Sequence, residues 1–320
     1  MLKRQLYLLL FCFTLITSAC TPIQPVADSA TAAPSAAVAD VVDLPLDAPL
    51  APDSSVRTGK LENGLTYFIR RNTEPANRIE LRLAINAGSV QEDEDQKGLA
   101  HLLEHMNIKC TATRANIKKE LGDRGASWNA TTSKDRTNYF ETLTATDDNL
   151  EFAIGLEADR LINCPIRRED LMSEMTVVRN EFELYENAPA EILGQRLFAV
   201  AYEWHNYGKA IIGNRSDIER VNADHLRAFY KKHYRPDNAM LIVAGKFNEK
   251  KALDSIVRHF GPLKNPPTKL ARLRSEEPAQ DGERNLELRR VGTTGKIVAA
   301  YHIPAAAHPD FAALTVLAQV

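Results

Sequence analysis

The run Ile79-Glu-Leu-Arg-Leu-Ala-Ile85 alternates apolar with polar or small residues, whereas Leu99-Ala-His-Leu-Leu-Glu-His-Met106 repeats its apolar positions at helical spacing. A period of two marks a strand with one buried face, and a period near 3.6 marks a helix. This stretch therefore predicts a strand over 79–87 followed by a helix over 99–106. Working outward, Leu61-Glu-Asn-Gly-Leu-Thr-Tyr-Phe-Ile69 carries an Asn-Gly pair between apolar residues, which is a hairpin signal. Downstream, helix is expected at 116–124, a Thr- and aromatic-rich strand at 137–146, helices at 148–163, 168–187, 189–203 and 222–234, and a buried strand at 238–247. The order β-β-α-α-β-β-α-α-α-α-β-α predicts an α+β fold, with helices packed on one face of a mixed or antiparallel sheet.

The 320 residues are 44% hydrophobic and 26% charged, which is the usage of a globular protein. A formal charge of −2, from 40 basic and 42 acidic residues, argues against nucleic acid as a partner, because phosphate neutralisation needs a basic excess. Four cysteines are too few to build a disulfide framework in a chain of this length. At the N-terminus, Lys3 and Arg4 precede the apolar run Leu6 to Ile16, which reads as an export signal over residues 1–19. Residues 20–56, rich in Ala, Pro, Val and Asp, cannot bury enough apolar surface to fold and read as a linker. Thr17-Ser18-Ala19-Cys20 resembles a bacterial lipoprotein signal, which implies a lipid on Cys20, attachment to a membrane and a place in the cell envelope. The folded part is expected over 57–263, followed by a Pro-containing linker over 264–284. Strands at Leu286-Glu287-Leu288 and Ile297–Ile303, then a helix from Phe311, are expected to begin a second, similar domain over 285–320, which reads as incomplete.

The chemistry gathers at His101-Leu102-Leu103-Glu104-His105. On a helix, positions i, i+3 and i+4 share a face, so both imidazoles and the carboxylate enter one small volume. Two His at i and i+4 suit tetrahedral zinc, and a Glu beside them that does not ligate can serve as base to a metal-activated water. The bland alternative is a pair of surface histidines, which the flanking Leu99, Ala100, Leu102 and Leu103 disfavour. A third ligand is sought on the helix of 168–187, where Glu174, Val178, Glu181 and Tyr185 form one stripe beside Leu171, Met175 and Phe182. Spacing alone does not choose between Glu174 and Glu181, nor between a ligand and an exposed ion-paired face.

Gly88-Ser89, the run Gly98 to Met106, Glu174 to Glu181, Gly125 to Thr131, Ile212-Gly213 and Tyr234-Arg235-Pro236-Asp237-Asn238 together resemble the pitrilysin or insulinase family of zinc endopeptidases, whose motif is the inverted H-x-x-E-H. The resemblance covers about 60–263. It implies that His101, His105 and Glu181 bind one zinc ion, that Glu104 is the general base, and that Glu174 orients a ligand. It also implies that the segment from Ser127 through Asn129, Ala130 and Thr131 is a sheet edge that pairs with an extended peptide substrate. Family peptidases close a chamber from two halves, so a missing C-terminal half or a partner subunit is expected to supply further contacts. Three other readings stand beside the endopeptidase: a non-catalytic scaffold or processing-complex subunit of the same fold, a truncated inactive fragment, and a lipoprotein with a purely structural zinc, which Glu104 disfavours. Cys110 and Cys164 read as buried thiols, with a disulfide as the alternative in an oxidising compartment.

Overall fold

The computed structural model describes residues 51–109, 111–271 and 276–319. The export signal, Cys20, most of the 20–56 linker and Cys110 lie outside the described residues. The strands are β1 (Val56–Lys60), β2 (Thr66–Arg71), β3 (Arg78–Ile85), β4 (Ser127–Thr132), β5 (Thr137–Thr144) and β6 (Ala239–Gly245). The α-helices are α1 (Leu99–Lys109), α2 (Ile117–Asp123), α3 (Asp147–Ile162), α4 (Arg168–Glu186), α5 (Pro189–Ala201), α6 (Arg215–Arg220), α7 (Ala223–His233), α8 (Glu249–Phe260) and α9 (Phe311–Leu317).

The strands form one sheet in the order β1-β2-β6-β3-β5-β4. Only the β2–β6 pair is parallel; its neighbours are antiparallel. The Asn63-Gly64 turn joins β1 to β2, as the hairpin signal predicts, and Gly64 takes the positive φ (+93°) that glycine tolerates without steric cost. Alternation fixes one covered face. Tyr67, Leu241, Leu83, Tyr139 and Ala130 align across the sheet, and the next row is Ile69, Val243, Leu81, Glu141 and Trp128. All but the half-buried Trp128 are buried, and the alternate residues, such as Glu80, Arg82 and Met240, are exposed or half-buried. Helices on one face of a mixed sheet follow directly from that period.

One residue breaks the apolar row. Glu141 is buried beside Glu157 of α3, and the Arg160 guanidinium lies 3.0 Å from Glu157. Burial and the neighbouring Glu157 raise the Glu141 carboxyl well above the usual range. Arg160 also donates to the Asn107 carbonyl at 3.3 Å, which ties this buried group to the last turn of α1.

Two expectations are corrected. No strand forms over 286–288 or 297–303: among the described residues no neighbouring strand lies alongside to take the backbone hydrogen bonds, and Val291 and Ile297 are fully exposed. α9 forms near its expected start, yet it buries no residue. Residues at the end of the expected linker bond to the chain around the end of α5. Glu277 accepts the backbone N–H groups of Glu203, Trp204 and His205, and Arg284 donates to the carbonyls of Val200 and Ala201.

Candidate metal centre

α1 starts at Gly98, whose φ of +93° and close approach to the Ile212 carbonyl leave no room for a side chain; a Cβ there would lie 2.8 Å from that oxygen. Leu99, Ala100, Leu102, Leu103 and Met106 are buried, which fixes the rotation of the helix and turns His101, Glu104 and His105 toward α4 and β4. The two imidazoles stand nearly perpendicular, with centroids 4.8 Å apart. From α4, Glu181 Oε2 reaches to 3.6 Å from His101 Nε2 and 3.4 Å from His105 Nε2. The candidate ligand atoms of these three residues all lie within 4.8 Å of one another.

Two imidazole nitrogens and one carboxylate oxygen are a borderline donor set that zinc accepts readily. Donors bound at about 2.0–2.1 Å around a tetrahedral ion are separated by roughly 3.3–3.4 Å, close to the spacings found between Glu181 and the two histidines. The residues therefore fit a zinc ion. Burial, and after it the neighbouring His105, hold the His101 imidazole down at about 3, so its neutral, lone-pair-bearing form prevails. His101 Nδ1 is buried with no hydrogen-bond partner among the described residues.

Glu174 does not join the triad. Its Oε2 lies 3.2 Å from His105 Nδ1, the far side of the ring from Glu181, and its Oε1 is 3.0 Å from the Lys109 ammonium. A carboxylate on the remote nitrogen of an imidazole fixes ring orientation and tautomer. The expected stripe on α4 is only partly buried: Glu174 and Val178 are buried, Glu181 is half-exposed and Tyr185 is exposed. The second half of α4 faces a cavity of about 800 Å³ instead of the core.

Glu104 is buried at the cavity wall, and Thr132 donates its hydroxyl proton to Glu104 Oε2 at 2.7 Å. Burial raises its carboxyl above the ordinary value, against the pull of the Thr132 hydrogen bond. β4 is an edge of the sheet, so its outer backbone groups face no strand among the described residues. Asn129, Ala130 and Thr131 line the cavity with Thr132, whereas Ser127, at the start of the strand, lies outside its wall. The Ala130 N–H is taken by the Asn129 side chain at 2.9 Å. Motif spacing points to neither the Thr132 partnership nor the bonds by which Glu92 accepts the Gly98 and Ala100 N–H groups, because both depend on chain segments that meet only in the fold.

Residues 67–215 match the family model described as insulinase, peptidase family M16, and residues 220–320 match the M16 inactive domain. The chain belongs to the M16 peptidase family. An M16 relative in Helicobacter pylori, the zinc protease PqqE, is 31% identical over 81% of this chain and 59% of its own length. The probable zinc protease PqqL of Haemophilus influenzae is 33% identical over 68% of this chain and 24% of its own. Among solved structures, a Helicobacter pylori protease superposes with a TM-score of 0.68 at 29% identity, covering 71% of this chain and 55% of that one. The periplasmic protease PqqL of Escherichia coli gives 0.66 at 28% identity, over 73% and 26% of the two chains. This M16 chain thus spans between about a quarter and three fifths of the curated relatives it matches.

Proposed function

We propose that the chain is the metal-bearing half of an exported zinc endopeptidase that hydrolyses short or unfolded peptides. One observation carries the reading: His101 and His105 from α1 converge with Glu181 from α4, next to a buried Glu104 and an open sheet edge. Zinc held by that triad supplies Lewis acidity, which polarises a carbonyl and brings the acidity of water close to neutrality. Glu104, raised by burial, takes the proton of the attacking water and passes it to the leaving amine. The Thr132 hydroxyl holds that carboxylate in place, and Glu174 holds the His105 ring. An extended peptide pairs with β4 along Asn129, Ala130 and Thr131, with Ser127 at the far end of the strand, so that backbone hydrogen bonds supply affinity with little selection of sequence.

The remaining contacts to the transition state come from a second half, in the same polypeptide or in a partner subunit; the coverage of the relatives and the match of 220–320 to an inactive-domain model support this division. The E. coli PqqL structure is of a periplasmic protease. Together with the signal over residues 1–19 it supports export, with a lipid on Cys20 as the anchor. Zinc stoichiometry and hydrolysis of a quenched peptide, measured on the chain with and without a C-terminal half, test the proposal. One zinc per chain and cleavage in the complete assembly are expected. Zinc bound without cleavage in both would favour a non-catalytic scaffold.

A further inference from the structure

We propose that Glu92 is a positioning residue for α1, its buried carboxylate fixing the first turn of the helix and with it His101. The inference rests on reading His101, His105 and Glu181 as zinc ligands.

A helix begins with N–H groups that have no partner inside it, and a side chain at the cap normally accepts one of them. The cap of α1 is Gly98, which has no side chain. Glu92 folds back to take its place: Oε2 accepts the Gly98 N–H at 2.9 Å, and Oε1 accepts the Ala100 N–H at 2.8 Å. Both oxygens are used, and Ala100 is the residue before His101. The carboxyl oxygens, which carry partial negative charge, also sit at the positive end of the helix dipole. Glu92 is only 3% exposed, a costly place for a carboxyl group, but position 98 has no room for a side chain that could cap locally. Burial pushes its carboxyl up to about 8, opposed by the two N–H donors and the Lys97 ammonium.

The backbone of Glu92 is itself clamped. Its carbonyl accepts from Lys97 Nζ at 3.3 Å and from Asn206 Nδ2 at 3.0 Å, and Lys97 Nζ also donates to Asn206 Oδ1 at 3.2 Å. Gly98 and Gly213 are pressed together: a Cβ on Gly213 would fall 2.4 Å from the Lys97 carbonyl. The loop ahead of α1 and the chain at 206–213 therefore form one rigid seat, and Ile212 of that seat lines the cavity. At the other end of α1, Arg160 grips the Asn107 carbonyl. Ligands held to within about 0.5 Å and 10–20° bind a metal well, and looser ones do not. The core sets the rotation of α1 and Arg160 grips its last turn; Glu92, by taking the Gly98 and Ala100 N–H groups, keeps the first turn, which carries His101, from fraying.

The test compares zinc affinity by chelator competition, the unfolding midpoint in chelator, and peptide-hydrolysis kinetics of the complete assembly. The variants are Glu92→Gln, which turns an N–H donor toward one of the two amides, the shorter Glu92→Asp, and Asn248→Ala. Asn248 caps α8, a helix without ligands, through the Lys251 N–H at 3.0 Å. For Glu92→Gln, zinc binding is expected to weaken 10- to 100-fold, with kcat falling and KM within twofold of wild type; Glu92→Asp is expected to follow in the same direction. Asn248→Ala is expected to lower the midpoint and leave zinc affinity unchanged. A lower midpoint with unchanged zinc affinity in both Glu92 variants overturns the proposal and leaves an ordinary structural cap. So does failure of both variants to fold, which makes Glu92 a folding residue only. A wild-type chain that binds no zinc overturns the metal reading itself, a result distinct from either.

Discussion

α1 buries Leu99, Ala100, Leu102, Leu103 and Met106 and is tied at both ends, by Glu92 at its first turn and Arg160 at its last. α4 buries Leu171, Glu174 and Val178, and leaves Met172, Val177, Leu184 and Tyr185 exposed. One helix thus delivers an imidazole pair whose geometry the core has already set. The other delivers Glu181 from a helix with far less packing to hold it. Few buried contacts and much exposed surface mark the parts of a protein that open most easily. The His pair is the rigid part of the site, and Glu181 is the part free to adjust.

The sharpest cut separates the proposed general base from the proposed metal ligands. Glu104→Gln should retain zinc and lose about a thousandfold or more in hydrolysis, measured on the metal-loaded assembly; retained turnover would remove Glu104 from the chemistry. Next in size is the core beneath the pair. Leu103→Ala empties a fully buried position of α1 and should cost about 2–5 kcal/mol in denaturant unfolding, whereas Leu184→Ala on exposed α4 should stay within about 0.5 kcal/mol. Equal losses would contradict the contrast between the two helices.

An acid limb should belong to the body of the protein as well as to the site. Burial lowers His233, at the end of α7, from 6.5 to about 4. Below pH 6.5 the unfolded chain takes up a proton that the folded chain refuses, so stability is intact above that pH and declines as pH falls toward about 4. The loss reaches about 3 kcal/mol at most, and His233→Gln should flatten it in unfolding curves recorded with chelator present. Among the residues around the site, the smallest effect is expected at Glu174. Glu174→Gln keeps the triad and weakens the support of His105, so zinc affinity should fall about 10- to 100-fold, read by chelator competition.

Strongly periodic segments were legible in the sequence: β3, α1, β5 and α4 lie within about three residues of their expected bounds. Short or weakly patterned elements were not. Val56–Lys60 does not alternate clearly, and six-residue α6 is too short for a period to show. The strands expected near 288 and 300 have suitable composition, but composition does not supply the neighbour a strand needs. At the site, the HLLEH face was readable because three side chains share one helix. The choice between Glu174 and Glu181 was not, since both lie on the same stripe; the fold puts one carboxylate on each side of the His105 ring. Glu92 stands in the acidic run Glu92-Asp-Glu-Asp95, and nothing local says which of those carboxylates turns inward.

The position of β6 has a consequence for how the protein is made. It is the last strand of the sheet in sequence, yet it sits between β2 and β3, pairing Tyr67 with Leu241 and Leu83 with the same residue. Until Gly245 has left the ribosome, β2 and β3 each present an open edge, and the covered face lacks its middle row. Contacts that close so long a loop form slowly, and open edges invite pairing with other chains. The segment that completes the fold is therefore synthesised well after α1, so a nascent chain carries His101 and His105 before it has a finished core to hold them.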